Sequence, residues 1–169
     1  MDRNNLVEDF LRKQKKMNEL RAMKDPIYFK SLEHQKFYEA CMNKSKNQDS
    51  YHKALFYTLG INEESRKHID EIFDFENDSI KISCLKKEWV TSSSKRAIYL
   101  AFNLYTDGFP TIYEDTNKND IYSEALEYSV SYIFIDEEGY YFVEAIRLRN
   151  FMVCKEYALI NSSMLGRND

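Results

Sequence analysis

A mainly α-helical fold, a single compact multi-helix domain with at most a minor β element and an additional N-terminal helix, is what this sequence predicts, and three observations predict it. Glycine and proline are scarce, four and two residues, too few for the tight turns of a β-sandwich. Apolar residues recur at three- and four-residue spacing along most of the chain. The 169 residues carry 15% aromatic side chains, enough for a packed core at the size of one ordinary domain.

Taken in order, Asn5 with Glu8 resembles a capping box, and Leu6, Phe10, Met17 and Leu20 follow at helical spacing until Asp25 and Pro26. This predicts a basic amphipathic helix within 1–25, its thin stripe suited to docking on the domain or to pairing two copies. A globular domain is expected over 26–160 and a frayed tail over 161–169. After Ser31, the residues His34, Phe37, Tyr38, Cys41 and Met42 line one face of a helix that the polar stretch Asn43 to Ser50 ends. The next helix runs from Tyr51 to Gly60, with the glycine read as a left-handed C-terminal residue. Asn62 caps another helix, bearing Ile69, Ile72 and Phe73 on one side.

Ile80 to Ile82 reads as a minor strand, and Leu85 to Trp89 as one helical turn. Ser94 is read as the N-cap of a strong helix containing Ala97, Ile98, Leu100, Ala101 and Leu104, closed by Gly108 and Pro110. Residues 107–120 form the longest loop. The helical period restarts at Ile121 and continues to Ile133, although 128–135 is rich enough in β-branched and aromatic residues to fit a strand as well. Tyr140 to Phe151 reads as a last helix, with Ala145, Ile146 and Leu148 packed and Arg147 and Arg149 solvated.

The net charge of −4 is unevenly spread. The first 24 residues hold Arg3, Arg12, Lys13, Lys15, Lys16, Arg21 and Lys24 against Asp2, Glu8, Asp9 and Glu19. Residues 101–146 hold Asp107, Glu114, Asp115, Asp120, Glu124, Glu127, Asp136, Glu137, Glu138 and Glu144 against Lys118 alone. An acidic face repels nucleic acid, so a partner at this surface is expected to be a protein with a basic surface, and direct nucleic-acid binding through the first helix is the weaker reading. Met1 is followed by polar Asp2 and Arg3 with no apolar stretch suited to a signal peptide or a bilayer span, so a cytoplasmic protein without membrane contact is expected. Cys41, Cys84 and Cys154, odd in number and far apart, read as reduced, buried thiols.

Two regions stand out chemically. In Trp89, Thr91, Ser92, Ser93, Ser94, Lys95 and Arg96, hydroxyls and cations meet the start of a helix, where free N–H groups and the positive end of the dipole attract phosphate or carboxylate. Plain capping accounts for the same residues. Ser92-x-x-Lys95 matches a fragment of the acyl-enzyme pattern without its companion motifs and carries little weight. In the second region, Phe109, Tyr113, Glu114, Asp115, Asp120 and Glu124 combine aromatic area with acid, a composition suited to a protein interface. Asp115, Asn117, Asn119 and Glu127 imitate the ligands of a calcium loop, but the sixth position lacks glycine and the closing acid is displaced by one residue, which leaves a polar turn as the better reading. His34, His52 and His68 show no zinc spacing, His68 and Asp70 face different ways on a helix, and the glycine-rich nucleotide fingerprints are absent. Neither metal nor cofactor is expected, and no catalytic residue is assigned.

Leu32-Glu33-His34-Gln35-Lys36-Phe37, Lys53-Ala54-Leu55-Phe56-Tyr57, Ile72-Phe73-Asp74-Phe75, Trp89 to Ala97, Leu100 to Tyr105 and Glu144 to Arg149 together resemble an uncharacterised family of small proteins from Gram-positive bacteria, their phages and mobile elements. The resemblance covers most of 27–155 and implies no activity, ligand or catalytic residue. Its context implies, by analogy, an accessory protein that binds or inhibits a host nucleic-acid-handling or defence protein. The expectation is therefore a non-catalytic interaction protein, with a phosphate- or nucleotide-binding protein or enzyme built on Thr91 to Arg96 as the alternative.

Overall fold

The computed structural model describes residues 27–112 and 118–150, so the predicted helix within 1–25, the frayed tail and Cys154 lie outside the described residues. The described chain is mainly helical, with one two-stranded antiparallel sheet.

Ser31 starts α1 (Leu32–Lys44) by accepting a hydrogen bond from the His34 N–H at 3.2 Å. Its buried face is His34, Tyr38, Cys41 and Met42, the spacing of one helical stripe. Asp49 starts α2 (Ser50–Ile61) in the same way through the His52 N–H. Every residue from Ala54 to Ile61 is buried, which makes α2 the central helix.

Gly60 is a helical residue of α2 with no positive φ, which corrects its reading as a left-handed terminus. Its smallness answers a different need. A Cβ there would stand 2.4 Å from His34 Cδ2, inside the ring that α1 lays against α2. Beyond it, Asn62 caps α3 (Glu63–Lys67), but the helix breaks at His68 before α4 (Ile69–Ile72), and Phe73 belongs to a strand.

Strands β1 (Phe73–Asp74) and β2 (Ser79–Ile80) pair Phe73 with Ile80 and Asp74 with Ser79. The turn is closed by Asp74 Oδ1, which accepts from the N–H groups of Glu76 and Asn77. A 3₁₀ turn, Ile82–Lys86, buries Cys84 and Leu85 and stands where one turn was expected slightly later.

Helix α5 (Ser92–Thr106) packs most extensively on α2, which also carries α1 on its flank. Its N-cap is Thr91, not Ser94: the two hydroxyls cap each other's backbone N–H reciprocally, with Ser94 buried at the third helical position. Its C-terminal left-handed residue is Asp107, φ 55°, not Gly108. The expected continuous helix from 121 is two, α6 (Lys118–Leu126) and α7 (Val130–Ile133), separated at Ser129, whose side chain caps α7. Residues 130–133 are thus helical rather than extended. Residues 139–150 form α8, which buries Phe142 and Ala145 but leaves Ile146 exposed, against expectation.

The core gathers Leu55, Phe56, Tyr57 and Leu59 of α2 and Ile98, Tyr99 and Phe102 of α5, with Phe142 and Ala145 of α8 in the same cluster. Cys41 and Cys84 are unpaired, and burial pushes both thiols up to about 12. None of the described helices is long and apolar enough to cross a membrane.

Candidate functional site

The start of α5 was the sharpest anion-binding candidate, and the fold supplies its own anions. Ser93 Oγ donates to Glu138 Oε2 at 2.9 Å, and Lys30 Nζ meets the other oxygen of that carboxylate at 2.8 Å. Lys95 pairs with Glu127 at 2.6 Å and lies over the Tyr99 ring. Arg96 pairs with Asp136. Asn62 Nδ2 donates to Ser93 Oγ at 3.1 Å, which adds α2's end to the same network. Thr91 and Ser94 satisfy one another. Of the residues expected to face an external phosphate, Ser93, Lys95 and Arg96 therefore face carboxylates drawn from the acidic C-terminal third, and Ser92 is exposed.

Trp89 is held apart from that cluster. Its indole stacks on His68 at 4.3 Å with the planes 2° apart, and His68 Nδ1 lies 2.7 Å from Glu71 Oε1. The His68 contact is the main cause holding the Glu71 carboxyl below its usual range, with burial opposing and Trp89 and Lys87 assisting. Trp89 Nε1 is buried without a hydrogen bond of normal geometry, near as it lies to Glu71. His68 thus finds its acid three residues on, at Glu71, and not at Asp70.

The acidic third is only partly a surface. Glu124, expected at an interface, is buried at 4% exposure: its carboxylate accepts from the Ile112 N–H at 3.1 Å and from Thr111 Oγ1, pinning the loop after α5. Glu138 and Glu144 are buried too, the latter accepting from the Tyr28 N–H at 3.3 Å and from Arg147 at 2.6 Å. Asp107 accepts from Arg149 Nη2 through both carboxylate oxygens, while Arg149 Nε donates to the Leu104 carbonyl and the guanidinium lies 3.4 Å above the Tyr51 ring. Arg147 and Arg149 are therefore not solvated. They complete helix ends and ion pairs.

What this region does expose is apolar. Phe109, Tyr122, Leu126, Val130, Ile135, Tyr140, Val143 and Ile146 are all exposed, several beyond 65%. Tyr122 and Leu126 share one face of α6, four residues apart, and Tyr140 and Val143 lie three apart on α8. Glu137 is exposed among them and Asp120 half-buried. Tyr113, Glu114, Asp115 and Asn117, with the Asn119 side chain, lie outside the described residues; of the interface and calcium-loop residues the structure describes Phe109, Asp120, Glu124 and Glu127. Glu127 is the ion partner of Lys95.

Sequence reasoning missed His34 and His52. His34 is wholly buried, with Nε2 2.7 Å from the Tyr57 carbonyl and Nδ1 accepting from the Lys30 N–H at 3.2 Å. Burial pushes its ring down to about 4, against the opposing pull of the Tyr57 carbonyl. His52 is buried between two carboxylates, Asp49 and Asp78. The Ser31 and Asp49 caps three residues earlier were legible signals that these rings sit at helix starts. A shallow depression lined by Glu33, Glu63, Arg66 and Lys67 is charged, with Lys67 paired to Glu63 and Arg66 donating to the Gly60 carbonyl, unlike the apolar pocket with convergent polar groups typical of small-molecule sites.

These features define a mainly helical structure whose cations at the start of α5 are paired with its own acids and whose 109–146 stretch exposes several large apolar side chains. Residues 24–161 match the model of a family of unknown function (DUF6075), and the chain belongs to that family. No curated protein and no solved structure matches it.

Proposed function

We propose that this chain is a non-catalytic protein–protein interaction protein whose contact surface is the exposed apolar and tyrosine side chains of 109–146, and whose partner is a protein with a basic surface. One observation carries the reading: Phe109, Tyr122, Leu126, Val130, Ile135, Tyr140, Val143 and Ile146 gather most of the exposed large apolar side chains among the described residues into one stretch of sequence. Tyrosine and leucine there offer buried area at modest entropic cost. Charge favours a basic partner, because Glu137 is exposed within the same stretch while the cations Lys95, Arg96 and Arg149 are already paired with acids of the chain.

Nucleic-acid-handling proteins carry such basic surfaces, and the phage and mobile-element context of the resemblance points, by analogy, to a host defence protein among them. A phosphate site at Thr91 to Arg96 is the weaker reading, because a ligand there must displace Glu138, Glu127 and Asp136 from their partners. The test is capture of nuclease-treated host lysate on the tagged chain at low and high salt, beside a Tyr122→Ser, Leu126→Ser, Tyr140→Ser variant. The expected result is a salt-sensitive protein partner whose purified form binds the variant at least about tenfold more weakly, with no change in the variant's melting temperature. Equal affinity for both forms refutes the proposal.

A further inference from the structure

His52 sits at the first turn of α2, 3% exposed, with its two ring nitrogens each facing a different carboxylate: Nδ1 is 2.8 Å from Asp49 Oδ1 and Nε2 is 2.9 Å from Asp78 Oδ1. A neutral imidazole has one N–H and one lone pair, so it can donate to only one of them. The other nitrogen would then point its lone pair at a carboxylate oxygen within hydrogen-bond distance. Both contacts are favourable together only when the ring carries two protons. We propose that Asp49, His52 and Asp78 form a proton-operated latch: the protonated ring fastens the β1–β2 hairpin to the start of α2, and loss of its proton releases the hairpin tip.

The surroundings make the ring the responsive element. Asp78 holds a left-handed φ of 54°, fixed by Asn47 Nδ2 at 2.6 Å and by the Tyr105 hydroxyl, which donates to the Asp78 carbonyl at 2.8 Å. Tyr105, from α5, also stands edge-on to the His52 ring, and its phenol is pushed up to about 12, by burial first and then by Asp78 and Asp49, so it keeps its proton throughout. Phe73 of β1 packs on the ring from the hairpin side. The cations of the neighbouring segments are engaged elsewhere: Lys44 with Asp70 and the Phe75 ring, Lys46 with the Glu76 carbonyl, and Lys81 with Asp74 and the Asp70 carbonyl. Lys53, next to His52 in sequence, is exposed. Asp49 and Asp78 are thus the charged groups in contact with the ring.

The test uses the full ¹⁵N-labelled chain with Asp49→Asn and Asp78→Asn. Asparagine still caps a helix at 49 and tolerates the left-handed conformation at 78, so both variants should fold. Imidazole ¹⁵N spectra are expected to show both ring nitrogens of His52 protonated while the hairpin is closed, and with either substitution the closed hairpin is expected to hold a singly protonated ring. Amide exchange over 77–80, corrected for hydroxide catalysis, is expected to rise by about tenfold or more as the ring loses its proton. A ring that is neutral with the hairpin closed, a titration unaltered in both variants, or hairpin exchange indifferent to the ring's protonation each overturns the proposal.

Discussion

Replacing His34 by glutamine should remove an acid sensitivity built into the core. In the folded chain the ring is neutral by construction: Nε2–H donates to the Tyr57 carbonyl and Nδ1 receives the Lys30 N–H, so a second proton on the wholly buried ring would break the latter bond. The folded ring takes up its proton only at about 4, against an ordinary value of 6.5. Between those two values the unfolded chain binds more protons than the folded one, so stability falls as pH falls. Above 6.5 both forms are neutral and below about 4 both are charged, so the effect is confined to that window. At about 1.4 kcal/mol per pH unit it amounts to roughly 3 kcal/mol, a large share of the margin of a small domain. Urea unfolding at half-unit steps from pH 7.5 to 4 should show wild type losing about that much more stability than His34→Gln, whatever the variant's absolute stability. Parallel pH profiles for the two proteins would refute the reasoning.

Gly60→Ala places a methyl group 2.4 Å from His34 Cδ2 and 3.0 Å from a Phe37 ring carbon, so it should cost about 1–3 kcal/mol despite alanine's better helix propensity, read as a lower melting temperature. Arg149→Ala removes the Nη2 pair with Asp107, the Nε bond to the Leu104 carbonyl and the stack on Tyr51, and should cost about 1–2 kcal/mol in chemical denaturation. Arg149→Lys should recover less than half of that, because an ammonium reproduces neither the fork nor the stack.

The helices around the core were legible because their signals are local. Ser31, Asn62 and the stripe of His34, Tyr38, Cys41 and Met42 announce themselves within a few residues, as does the buried run of α2. What was misread depends on distant neighbours. Gly60 looks like a helix terminus until His34, 26 positions earlier in the chain, is seen to fill the space a side chain would take. Thr91 lost the capping role to Ser94 in the sequence because a capping box normally ends in Glu or Gln, and here a serine does that work. Glu124, Glu138 and Glu144 read as surface acids because burial of a carboxylate is decided by its donors, and those come from Thr111 and Ile112, from Lys30 and Ser93, and from Tyr28 and Arg147. The ambiguity at 128–135 had the same root: β-branched and aromatic residues fit either structure, and only the Ser129 cap tips the balance.

The contacts of Glu138 and Glu144 with Lys30 and Tyr28 join parts of the chain 108 and 116 residues apart. During synthesis, the segment at 28–30 therefore waits for its acceptors until nearly the whole domain has left the ribosome. At roughly 5–20 residues per second that delay is on the order of ten seconds, long compared with the formation of individual helices. Over that interval α1 and α2 can already associate while the start of α5 has yet to meet the carboxylate of Glu138, and Ser93 and Lys30 remain open to solvent anions. The carboxylate that neutralises them, Glu138, stands just ahead of α8, so closure of this receptive surface comes late in the vectorial order of the described elements.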